Sequence, residues 1–172
     1  MRWIGIRRLC AAAVLVPLVG AGYHLHAASQ VDEDELRATL EGSWVLEEWH
    51  QDGKVLRPPA IGGRWTLYDG IVMANVYRTS DGSYESFSAY GRYELEGMTW
   101  SYGYERVQTA GGPSAEEATV TVRSGLQMQA FAVHREGDVL ILERPNDRRE
   151  YEGPVFRFMP GGTLLRQYRK TE

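Results

Sequence analysis

Gly42-Ser43-Trp44-Val45-Leu46-Glu47-Glu48-Trp49 is where the hydrophobic period of this chain changes. Upstream, Leu36 and Leu40 lie four apart, the spacing of one helix face, and acids fill the turn before them. Asp32 or Asp34 can cap that helix. From Gly42 the period becomes two, which places Trp44, Leu46 and Glu48 on one face of a strand and Val45, Glu47 and Trp49 on the other. A helix this short does not stand alone, so it is expected to pack across one end of the β-structure that follows.

Strand signals then recur to the chain end. Asp52-Gly53 marks a turn, and Arg57-Pro58-Pro59-Ala60 cannot continue a hydrogen-bonded ladder because each proline lacks a donor. Arg64 to Asp69 and Ile71 to Arg78 flank Asp69-Gly70, a strong hairpin signal. Phe87 to Glu96 and Met98 to Val107 form the next hairpin around Glu96-Gly97. Gln108 to Ala115 reads as a loop, Ala118 to Arg123 and Leu126 to Arg135 as strands broken at Ser124-Gly125, and Val139 to Arg144 as another strand. Pro145 to Pro154, polar and charged, reads as a solvated loop before a last hairpin of Val155 to Met159 and Thr163 to Lys170. About nine strands joined by short turns predict an all-β chain, a single antiparallel up-and-down β-barrel with a short N-terminal helix, spanning residues 32–170. Closure would remove the exposed edges of such a meander; a β-sandwich is the alternative.

Arg2, Arg7 and Arg8 precede an apolar run from Leu9 to Gly22, the pattern of a secretory signal peptide over residues 1–28. The run is shorter than the roughly 20 residues of a membrane span, so the expected destination is periplasmic or secreted, with no membrane insertion of the mature domain. An uncleaved N-terminal anchor is the alternative. The only cysteine, Cys10, lies inside that segment, which leaves the mature domain without disulfide or thiol chemistry. Without the three signal arginines, 16 basic residues face 23 acidic ones, a net charge of −7, so no nucleic-acid partner is expected.

Three segments carry a family resemblance. Leu40 to Leu46 with Trp49 and Asp52 to Pro59, then Gly62-Gly63-Arg64-Trp65-Thr66-Leu67-Tyr68-Asp69-Gly70, then Ala89-Tyr90-Gly91-Arg92-Tyr93-Glu94-Leu95-Glu96-Gly97 resemble the bacterial and fungal lipocalin-like domain family over roughly residues 40–145. The resemblance implies a calycin-type barrel around a small molecule. In lipocalins a late-strand arginine stacks on a tryptophan placed like Trp44, and Arg157 or Arg166 would take that structural role here. The strand after Gly97 often carries histidines in the family; here it has none.

The expected ligand is a small hydrophobic or aromatic molecule. Met98, Trp100, Tyr102 and Tyr104 alternate along one strand and make a continuous aromatic face, with Tyr93, Phe87, Met73, Asn75 and Tyr77 on neighbouring strands completing the wall. The alternative is that these side chains simply fill a small barrel. His134 shares a face with Leu126, Met128, Ala130 and Ala132, read as interior, where an imidazole orients a ligand or acts as a base. Glu48, on the face of Trp44 and Leu46, is the other candidate for acid–base chemistry on a lipophilic substrate. A cell-envelope interaction module with a filled barrel is a third possibility. No metal-ligand spacing, nucleophile elbow, phosphate loop or dinucleotide fingerprint is present, so neither metal nor cofactor is expected.

Overall fold

The computed structural model describes residues 32–80 and 82–171. The signal-peptide reading of residues 1–28 lies outside them. Helix α1 (Glu33–Leu40) starts at Asp32, whose carboxylate accepts the Asp34 N–H at 3.3 Å, while Glu33, Asp34 and Glu35 oppose the positive end of the helix dipole. Leu36 and Leu40 are completely buried. At the other helix end, the Lys170 ammonium donates to the carbonyls of Ala38 (2.8 Å) and Thr39 (3.2 Å), satisfying acceptors that the last turn leaves open.

Twelve strands follow. They are β1 (Gly42–Gln51), β2 (Lys54–Leu56), β3 (Ile61–Tyr68), β4 (Ile71–Ser80), β5 (Ser83–Glu96), β6 (Thr99–Gly112), β7 (Thr119–Ser124), β8 (Gln129–Glu136), β9 (Val139–Arg144), β10 (Asp147–Glu152), β11 (Val155–Pro160) and β12 (Arg166–Thr171). Ten of them close into an antiparallel up-and-down barrel in the order β1-β3-β4-β5-β6-β8-β9-β10-β11-β12, and β12 returns to β1 from Ser43 opposite Thr171 to Trp49 opposite Arg166. The remaining two lie outside the ring, β2 on the end of β1 and β7 on the far half of β6. The short turns follow from local chemistry: Asp69 (φ 45°) and Gly70 (φ 76°) both occupy the left-handed region that a two-residue hairpin needs.

Two expected loops are strands. β6 runs on to Gly112 because it is paired on both sides, with β5 from Tyr84 to Glu96 and with β7 from Thr119 to Ser124. The charged stretch expected to be a solvated loop forms β10, bounded by turns at Asn146 (φ 64°) and Gly153 (φ 53°) and paired along its length with β9 and β11. Its alternation puts Asp147, Arg149 and Tyr151 inside. On the outside, Arg148 meets Glu136, Glu143 and Glu150.

Two irregularities reset the faces. In β1 the pairing slips between Leu46 and Glu48, so Trp49, not Glu48, joins Trp44 and Leu46 in the core. In β5 a bulge at Tyr90/Gly91 brings the backbone so close to β6 that a Cβ on Gly91 would lie 1.9 Å from the Gly103 carbonyl oxygen. Only glycine fits there.

Candidate functional site

One end of the barrel is closed. Trp44 is fully buried, its indole N–H donates to the Leu40 carbonyl at 3.0 Å, and its ring meets Tyr151 edge-on at 5.2 Å. The cation over Trp44 is Lys170, 5.2 Å from the ring centroid, which corrects the expectation of Arg157 or Arg166. Arg157 points outward to Glu152 and Glu150, while Arg166 lies over Trp49 at 4.0 Å. The reason is register: Arg166, Tyr168 and Lys170 alternate along β12, and Lys170 is the member opposite Trp44. Tyr93 is also at this end, bonded through its hydroxyl to the Glu41 carboxylate; burial first, and this bond next, push its hydroxyl up to about 12.

Further in, the rings of β6 form a stacked wall. Trp100 and Tyr102 stack at 4.8 Å, Tyr102 meets Tyr104 edge-on at 5.4 Å, and Phe87 of β5 adjoins Tyr104 at 5.6 Å. Arg149 sits against this wall, 3 % exposed, with its guanidinium carbon 4.6 Å from the Phe131 centroid, 4.7 Å from Tyr102 and 5.3 Å from Trp100. It donates to the Tyr102 hydroxyl at 2.7 Å and to the Asp147 carboxylate at 3.4 and 3.5 Å. A buried charge is tolerable only with such pairing, and the planar guanidinium adds cation–π attraction on several faces at once.

Beside Arg149 lies a cavity of about 270 Å³. Trp65, Tyr102, Tyr104 and Phe156 form much of its wall, Ala74 and Val76 leave the room, and Arg149 and Arg166 supply charge. The Nε atom of Arg166 and the indole nitrogen of Trp65 are buried with no partner at hydrogen-bond geometry among the described residues, although the two side chains lie against the Tyr168 and Tyr151 hydroxyls respectively. Burial raises the hydroxyl pKa values of Tyr104, Tyr151 and Tyr168, so these groups are neutral at physiological pH and can donate or accept. The arrangement is an aromatic box with positive polarity, suited to holding a molecule.

The structure brings three of the sequence-derived wall candidates to this cavity, Phe87, Tyr102 and Tyr104. Trp100 is fully buried behind them, between Tyr102 and Phe131, and Met98 is partly buried against the same core. Met73, Asn75 and Tyr77 face outward, because Val72, Ala74 and Val76 occupy the inner positions of β4; the Tyr77 ring instead covers the space over Gly62. His134 is likewise on the outside, 3.5 Å from Glu136 and 3.9 Å from Glu143, while Phe131 and Val133 take the inner face of β8. The strand begins only at Gln129, so Leu126 and Met128 do not belong to its alternation. Glu48, turned out by the bulge, binds Arg57 and His50 on the barrel exterior; these two partners, Arg57 first, hold its carboxyl below the usual range. Glu48 and His134 therefore share no cavity. Among the described residues no group of three or more His, Cys, Asp or Glu side chains is placed to hold a metal ion.

Arg149 escaped sequence reading because a run of Arg, Asp and Glu looks solvated. The signal that would have found it is the pair of turns, Pro145-Asn146 and Gly153, enclosing a strand-length segment in which Tyr151 shares parity with Arg149. Comparison with known proteins adds no relative: no family model, no curated protein and no solved structure matches this chain.

Proposed function

We propose that this protein is an exported, lipocalin-like carrier that binds a small hydrophobic or aromatic molecule noncovalently inside its barrel. The observation that carries the reading is the 270 Å³ cavity beside a stacked aromatic wall, close to the roughly 300–1,000 Å³ of small-molecule sites. A barrel whose side chains merely filled it would leave no such space next to buried polar atoms without partners. Tyr102 and Tyr104 form the wall that contacts the ligand, backed by Trp100, and Trp44 with α1 closes the base. Export rests on Arg2, Arg7 and Arg8 ahead of the apolar run.

The test is tryptophan quenching by a panel of flat hydrophobic probes, alongside native mass spectrometry of protein purified from its own host. Trp65 lies on the cavity wall and reports occupancy. Saturable quenching that disappears in Ala74→Phe, a substitution that fills the cavity while circular dichroism stays unchanged, is the expected result. Absence of saturable quenching with every probe and of any co-purified molecule refutes the reading. A second reading, an interaction module, is favoured by the outer face of β3–β5, where Tyr68, Ile71, Met73 and Tyr90 are all about half exposed or more. Alanine substitution of Ile71 and Met73 separates the two, since it leaves interior binding untouched.

A further inference from the structure

The cavity is lined by two guanidiniums and by no carboxylate. Arg149 is already paired with Asp147, a carboxylate that Arg144 shares, and its donors are engaged by that carboxylate and by Tyr102. Arg166 is different. It alternates with Tyr168 on the inner face of β12, where its guanidinium lies against the neutral Tyr168 hydroxyl, has no acidic side chain within ion-pair distance among the described residues, and its buried Nε has no partner at hydrogen-bond geometry. Glu85, whose carboxylate feels the Arg166 charge, is held by two bonds to Arg78. The Arg166 guanidinium rests on the Trp49 ring at 4.0 Å, which orients its plane and supplies no counter-charge. A half-buried cation with no counter-charge and a buried Nε without a partner gain when an anionic acceptor arrives.

Resting on the interior-binding reading, we infer that the ligand is a small amphipathic monocarboxylate, its carboxylate on Arg166 and its apolar body between Trp65, Phe87 and Tyr104. One uncompensated guanidinium matches one negative charge, and its fork of N–H donors matches the two oxygens of a carboxylate. A doubly charged headgroup would need a second free cation, and Arg149 is already paired. The limited volume selects an aryl acid or a short-chain aliphatic acid over a long lipid.

The test compares naphthoate with its neutral counterpart naphthylmethanol by calorimetry and tryptophan quenching, on the wild-type protein and on Arg166→Met and Arg166→Gln. Two variants are used so that one remains if the other fails to fold. Wild type is expected to bind the acid about tenfold or more tightly than the alcohol, the scale of a charge-assisted bidentate contact. Either variant should abolish that preference while changing the affinity for the alcohol less than about twofold. If wild type binds acid and alcohol equally, or the variants keep the preference, the carboxylate assignment is overturned while interior binding stands. If neither compound binds and the wider hydrophobic panel also fails, the interior-binding reading falls and takes this inference with it.

Discussion

Arg149→Met is the perturbation that most directly tests how this barrel tolerates a charge in its core. Methionine replaces most of the volume, so the cavity contribution is small and the electrostatic one dominates. What remains is Asp147, 8 % exposed, with only Arg144 at 3.5 Å, and a Tyr102 hydroxyl that has lost its donor. Removing one partner of a buried ion pair typically costs about 3–5 kcal/mol, because the other charge stays behind. For a domain of about 140 residues that corresponds to roughly 10–20 °C in Tm. The double variant Arg149→Met with Asp147→Asn removes the stranded charge and is expected to recover about 1–3 kcal/mol relative to the single one, the usual coupling of residues in direct contact. Urea unfolding followed by tryptophan fluorescence measures both, with an unchanged m-value confirming that the same surface is exposed. A cost below about 1 kcal/mol for Arg149→Met, or a double variant no more stable than the single, would refute the claim that Asp147 and Arg149 are interdependent in the core.

Trp44→Phe should cost about 1–3 kcal/mol, since it strips the Leu40 carbonyl of its donor and trims a ring packed on Tyr151 and Phe156; thermal unfolding within about 1 °C of wild type would show that Trp44 is no closure of the barrel base. Alkaline stability follows from the buried tyrosines. Tyr93, raised to about 12, and Tyr104, Tyr151 and Tyr168, also raised by burial, hold their protons in the fold above the pH of about 10 where unfolded tyrosine ionises. Between about pH 10 and 12 the unfolded chain binds fewer protons than the folded one, so stability falls as pH rises, by up to about 1.4 kcal/mol per pH unit for each such tyrosine. Tyrosinate absorbance should therefore rise cooperatively with loss of circular dichroism, and a gradual titration of every tyrosine near pH 10 with the fold intact would contradict the burial.

Local rules make part of the fold and of the cavity wall legible in the sequence. Leu36 and Leu40, Asp69-Gly70, and Trp100-Tyr102-Tyr104 were readable because each reports a local rule: helix spacing, a left-handed turn, strand alternation. His134 and Tyr77, expected inside, lie outside because alternation gives two faces and does not say which is inside. Phe131 and Val133, or Val72 and Val76, decide that only when the neighbouring strands are in place. Glu48 was misplaced by a one-residue bulge, which flips every side chain beyond it.

The sequence by itself determined that this chain is all-β with a capped helix in front, since turn chemistry and periodicity act over a few residues and need no partner. The predicted barrel is the one that forms; only the tertiary structure decided between barrel and sandwich, set the ring at ten strands, and put Arg149 inside beside Arg166. A charged strand reads as solvated until barrel closure surrounds it with the rings of Tyr102, Phe131 and Trp49, contributed by strands far away in sequence. The candidate binding chemistry sits where local polarity and long-range packing disagree, and that disagreement is resolved by a counter-charge for Arg149 and left open at Arg166.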